Sequence, residues 1–122
     1  MSKIVVKVED VTRLADVIPA IRKITGLGIS DVKQRIESGR PLVEYALFYN
    51  DHDEIAERLR ELMAELPRHG AKLRLFELEE GEEFESMPNA SKYEISPEAM
   101  ENILLSHERG LERFMNEDDD EP

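Results

Sequence analysis

His52, His69 and His107, with the carboxylates Glu79, Glu80, Glu82, Glu83 and Glu85, are the side chains from which a metal site or acid–base chemistry would have to be built. The histidines fall on different segments with no ligand spacing among them, so they predict surface or helix-end residues rather than a zinc site. Asp51-His52-Asp53-Glu54 opens like a calcium loop, but Ile55, Ala56 and Leu62 stand where such a loop needs an oxygen ligand, a glycine and a glutamate. Helix capping by Asp51, with Glu54 three residues later, accounts for that run better. Glu82, Glu83 and Glu85 lie in an acidic, turn-rich stretch that reads as a solvated surface rather than as an acid–base pair.

The other reactive groups are missing or unaccompanied. There is no cysteine, which excludes disulfides and thiolate metal ligands. No serine sits in a G-x-S-x-G elbow, and Gly26-x-Gly28 lacks the third glycine and the preceding strand of a dinucleotide fingerprint. Asn89-Ala90-Ser91 matches a glycosylation acceptor without a secretory context. The sequence therefore predicts a protein that is not an enzyme and holds neither cofactor nor metal.

The 122 residues carry 28 acidic against 16 basic side chains, a formal charge of -12. Nucleic acid is a poor partner for such a chain, because counterion release needs clustered Lys and Arg and these are interleaved with Asp and Glu. A basic protein surface is the natural complement, although acidity also serves solubility alone. The first residues, Met1-Ser2-Lys3-Ile4-Val5-Val6, reach a charge at Lys7 without a long apolar run, which predicts no signal peptide, no membrane span and a cytoplasmic protein.

The elements that must position any functional residue follow from apolar spacing. Ile4, Val6 and Val8 predict a first strand near residues 3–8 with one apolar face. Leu14, Val17, Ile18, Ile21 and Ile24 recur at helical spacing, with Thr12 or Asp16 as the cap; Pro19 predicts that this helix starts near Asp16 or kinks before Ala20. Gly26 and Gly28 flank Leu27 in a sharp turn, and Ser30 is expected to cap a short helix that turns Val32 and Ile36 inward and ends at Ser38-Gly39. Leu42 to Tyr49, apolar on much of both faces, predicts a central or covered second strand. Ile55, Leu59, Leu62, Met63 and Leu66 form one stripe of a helix closed by Pro67 and Gly70, and Lys72 to Leu78 alternates as a third strand.

The expected class is α+β, in the order β-α-α-β-α-β, with helices covering one side of a three-stranded sheet in a domain over residues 1–78. Residues 79–96, with Gly81 and Pro88, read as an acidic linker or surface loop. Ser96-Pro97 opens an amphipathic helix over 97–116 whose face carries Met100, Ile103, Leu104, His107, Leu111, Phe114 and Met115. That helix either folds back, on the sheet face the others leave open, or meets a partner. Residues 117–122 are a like-charge tail expected to be disordered.

Ile21-Arg22-Lys23-Ile24-Thr25-Gly26-Leu27-Gly28-Ile29-Ser30-Asp31-Val32-Lys33, followed by Ile36-Glu37, resembles the carboxy-terminal domain of the bacterial ribosomal stalk protein, the seven/twelve protein of the large subunit. Gly70-Ala71 before the third strand corresponds to that family's Gly-Ala dipeptide. The resemblance covers residues of about 3–78 and implies an antiparallel three-stranded sheet covered by three helices. The family recruits translational GTPases through the helix pair around this turn. Ile18, Arg22 and Lys33 occupy positions like its contact residues, whereas two positions that are usually lysine fall on Leu14 and Pro19. The chain begins at the first strand, where the family has a dimerisation region and hinge, so it is not expected to be an ordinary stalk protein.

Two binding functions are consistent with these features. One is a cognate inhibitor, an immunity protein that neutralises a bacterial toxin with a basic surface; Glu79, Glu80, Glu82, Glu83 and Glu85 would steer the encounter and exposed aromatics such as Tyr45, Tyr49 or Phe84 would anchor it. The other is a translation-associated module that meets a translational GTPase or ribosomal component through Ile18, Arg22 and Lys33.

Overall fold

A computed structural model describes residues 2–47, 52–79, 81–87, 89–106 and 108. The expected order appears as β1 (Ser2–Glu9), α1 (Leu14–Thr25), α2 (Ile29–Glu37), β2 (Val43–Ala46), α3 (His52–Arg68) and β3 (Lys72–Glu79). Two 3-10 turns, Phe84–Ser86 and Ala90–Tyr93, then lead to β4 (Glu94–Ile95) and to α4, helical over 97–106 and at 108. The fold is α+β, and its sheet is antiparallel with four strands in the order β2-β1-β3-β4, rather than the expected three.

β1 is the centre of the sheet because both of its faces are apolar. Ile4, Val6 and Val8 join the core with the helices, while Val5 turns to the opposite face with Phe76 and Leu78; Ile4, Val5 and Val6 are all fully buried. The full-length pairing Ser2↔Glu79 to Glu9↔Lys72 matches this two-sided burial. β2, expected to be central or covered, is not central: among the described residues it is an edge strand paired with β1 alone. The apolar richness of its surroundings has another origin: Leu42 and Leu47, just outside the four paired residues, are core plugs. Phe48 and Tyr49 lie outside the described residues.

α1 runs continuously from Leu14 with Pro19 in its second turn. Pro19 is exposed, as is Ala15, whose carbonyl it leaves unpaired, so water can satisfy that group. Neither Thr12 nor Asp16 caps α1, and Ser30 does not cap α2, whose cap position is Gly28. Thr12 instead donates from both its backbone N–H (3.0 Å) and its hydroxyl (3.1 Å) to the Gly70 carbonyl. Gly70 ends α3 with φ +78, and the Ala71 N–H closes the helix end on the Leu66 carbonyl at 3.0 Å. Asp51, the expected cap of α3, lies outside the described residues.

α4 folds back on the helix side of the sheet, not on the open face. The Ser96 hydroxyl caps it by accepting the Ala99 N–H at 3.0 Å. Met100 and Leu104, both fully buried, enter the same core as Val17, Ile21 and Leu59, with Ile103 packed beside them. Arg60 of α3 donates to Glu101 (3.0 and 3.1 Å) and to Glu108 (2.9 and 3.2 Å), tying the two helices together. His107, Leu111, Phe114, Met115 and the tail lie outside the described residues. Among the described residues no helix is long and apolar enough to cross a membrane.

Candidate functional site

The face of the sheet away from the helices is covered by residues 81–87. Phe84 packs on Val5, Phe76 and Leu78, its ring centroid 4.7 Å from that of Phe76, with Met87 beside it. Two polar contacts hold this segment down: Lys3 Nζ donates to the Glu82 carbonyl, and the Glu79 N–H donates to Glu82 Oε1 at 2.9 Å. Arg74 fastens the other end by donating to Glu94 (2.7 and 3.0 Å) and to Glu9 (3.0 Å), with its guanidinium carbon 5.2 Å from the Phe76 ring centroid. Hydrogen bonding from Arg74 holds the Glu94 carboxyl below the usual range. Burial pushes Glu9 up, but Arg74 and Lys7 together outweigh it and the net shift is downward. These are structural ion pairs.

This arrangement divides the residues expected to bind a partner. Glu82 is committed to closing its own loop, whereas Glu79, Glu83 and Glu85 are exposed. Phe84 is half-buried against the sheet, not free to anchor a partner. Tyr45 is likewise half-buried on the helix side of β2; burial raises its phenol pKa, and Arg58 opposes that shift. Glu80 and Tyr49 lie outside the described residues.

Glu83, Phe84 and Glu85 form one bank of a groove of about 630 Å³ that runs beside β2. α2 forms the other bank with Asp31, Gln34 and Arg35, and residues 40–44 form the floor. Sequence reasoning missed Asp31, Arg40 and Glu44 as lining residues. Their convergence depends on β2 being an edge, which no local pattern announces.

The corner between α1 and α2 has a different character. Gly26 takes φ +77, and the Thr25 hydroxyl donates to the Ile21 carbonyl (2.7 Å) while accepting the Leu27 N–H (3.2 Å), so the corner is built by local bonds. Leu27 packs inward, but Ile29 is 53% exposed. Ile18 is half-buried against the core, and Arg22 and Lys33 are exposed, as is Lys23. Residues 1–40 hold eight basic and five acidic side chains, whereas residues 41–122 hold eight basic and 23 acidic ones. The corner is thus the basic part of an acidic chain. Ile29 and Lys23 were legible in the motif but gave no sign of their exposure.

Among the described residues no group of three or more His, Cys, Asp or Glu side chains is placed to hold a metal ion. His52 is buried at the start of α3, and His69 Nε2 is 3.5 Å from Glu65 at its end. No protein-family model matches this chain, and comparison with curated proteins and with solved structures returned no match.

Proposed function

We propose that this chain is a non-catalytic, cytoplasmic protein-binding protein that neutralises a partner with a basic surface, such as a toxin domain, by direct contact through its acidic face. The observation that carries this reading is the convergence of Asp31, Glu44, Glu83 and Glu85 on one groove. Carboxylates gathered at a concave surface raise the local concentration of a cationic partner and speed its encounter, an effect that salt screens. With Phe84 and Tyr45 packed inward, charge and backbone rather than aromatic anchors supply the contact.

A second reading is favoured by the exposure of Ile29, Arg22, Lys23 and Lys33 on the α1–α2 helix pair: a stalk-like helix corner that meets a translational GTPase or ribosomal component. One experiment separates them. Affinity capture from cells is run with the natural chain, with Glu83→Lys/Glu85→Lys, and with Arg22→Glu/Lys33→Glu, and the association rate of any captured protein is measured at low and high salt. The inhibitor reading expects a basic partner that is lost with the first variant, kept by the second, and slowed at least tenfold by salt, or about 1.4 kcal/mol in activation terms. Loss of a translational GTPase with the second variant alone supports the corner. A partner indifferent to both variants and to salt removes both readings.

A further inference from the structure

Among the described residues, β2 has a hydrogen-bonded neighbour on one side only. Its first two residues, Val43 and Glu44, with Arg40, Pro41 and Leu42 before them, line the groove of about 630 Å³. Edge strands are normally protected by proline, lysine, a bulge or a covering element, because their unpaired N–H and C=O groups accept a further strand. The protection here is partial. Pro41 precedes the strand and the strand has only four residues, but Val43-Glu44-Tyr45-Ala46 contains no proline or lysine.

The groove has an unusual construction, with one bank on each face of the sheet. α2 lies on the helix side, where its Val32 enters the main core, and residues 83–85 lie on the opposite side, where Phe84 covers Val5 and Phe76. A chain extending the sheet beyond β2 would therefore be held between two walls. The register assigns the faces: Val43 and Tyr45 are opposite Val6 and Ile4 on the helix side, and Glu44 is opposite Val5 on the side of Glu83 and Glu85.

The charges select the occupant. Asp31, Glu44, Glu83 and Glu85 face Arg35 and Arg40, and Arg35 Nη1 is already committed to the Leu42 carbonyl at 2.6 Å. Lys3 Nζ stands 3.8 Å from Glu44 Oε2, and Glu44 remains 43% exposed. The excess is negative and is concentrated on the side of Glu44. A second copy of this chain would bring two acid-lined grooves together, which argues against self-pairing.

We propose that β2 receives, by antiparallel or parallel strand addition, an extended segment of a partner protein about four to six residues long in which basic and apolar side chains alternate. The apolar residues lie beside Val43 and Tyr45, and the basic ones beside Glu44, Glu83 and Glu85. This rests on the reading of the acidic face as a protein-binding surface and names how that surface is used.

The test uses the full chain and a synthetic hexapeptide alternating valine with lysine. Controls alternate valine with glutamate, or gather the same lysines into one block. Two further peptides are N-methylated at the odd or at the even amides. Binding is read from amide chemical shifts and from hydrogen exchange of residues 43–46. The alternating basic peptide is expected to bind, to slow exchange at β2, and to bind about tenfold more weakly to Glu44→Lys/Glu83→Lys. N-methylation of one set of amides should abolish binding while the other set is tolerated, because successive amides of a strand point to opposite edges.

If the basic peptide binds and responds to charge reversal but both N-methylated forms bind equally and β2 is not protected, strand addition is wrong and the acidic-surface reading stands. If neither basic peptide binds and charge reversal has no effect, the acidic-surface reading fails as well. If exchange at residues 43–46 slows with protein concentration in the absence of peptide, the edge belongs to a second copy and the proposal is overturned.

Discussion

Leu104→Ala is the substitution that most directly tests whether α4 belongs to the fold. Leu104 is fully buried and shares its core with Met100, Val17, Ile21 and Leu59. Truncating such a leucine removes its transfer free energy and leaves a cavity that its neighbours only partly refill, so the expected loss is about 2–5 kcal/mol. A chain of this size loses about 3–6 °C of midpoint per kcal/mol, so the thermal midpoint should fall by about 6–30 °C. The ion pairs from Arg60 do not substitute for this packing. Their side chains are about a third exposed (35% for Arg60, 39% for Glu101 and 32% for Glu108), and after solvent screening each contributes about 1 kcal/mol or less. The measurement is urea unfolding followed by circular dichroism, with exposed Asn102→Ala as a control expected to stay within about 0.5 kcal/mol. If Leu104→Ala also stays within that margin, α4 is not part of the cooperative unit and its assignment to the core is wrong.

Gly70→Ala should cost more than Gly26→Ala, although both glycines have positive φ. Each loses about 1–2 kcal/mol from the left-handed conformation, but a Cβ at Gly70 meets Thr12 at 3.1 and 3.2 Å while one at Gly26 meets nothing within 4 Å; equal losses would show that the Thr12 contact is unimportant. Arg74→Gln should raise the pKa values of Glu9 and Glu94 toward the ordinary 4.5, Glu94 more completely because Glu9 keeps Lys7 at 3.1 Å. Because both folded-state values are lowered, their stabilisation is fully present above about pH 4.5 and lost as the pH falls through the lowered values. The variant should therefore show a shallower stability loss below that pH, and carboxyl-carbon NMR titrations unchanged by the substitution would contradict the assignment.

Elements whose signals are local were legible. The stripe from Ile55 to Leu66, the Ser96-Pro97 start of α4 and the helix ends at Gly39 and Gly70 depend on spacing, capping and left-handed backbone, which neighbouring residues determine. What was not legible depends on partners distant in the chain. Val5 interrupts the alternation of β1 and looks incidental until Phe76, Leu78 and Phe84 are brought over it. β4 has two residues, too few for any periodicity, and exists because Arg74 pins Glu94 against β3. The 81–87 segment is rich in glutamate, so its composition suggests open solvent. Phe84 and Met87 contradict that only once the second sheet face is known to be uncovered by helices. The groove was hidden for the same reason: Glu83 and Glu85 are conspicuous, but nothing near them says that Asp31 and Glu44 will stand opposite.

The place of β1 has a consequence for vectorial synthesis. β1 is paired along its whole length with a later strand that ends at Glu79, and among the described residues its other edge meets the four residues Val43–Ala46. At about 5–20 residues per second, the 70 residues between Glu9 and Glu79 take roughly 4–14 s to be made. Through that interval Ile4-Val5-Val6 has no full-length strand beside it, and Lys3, Lys7, Glu9 and Asp10 are the charges that stand guard against pairing with another nascent chain. A polypeptide terminated before β3 would keep that exposure permanently, and the arrival of β3, rather than the appearance of any single helix, is the event that gives β1 its full-length partner.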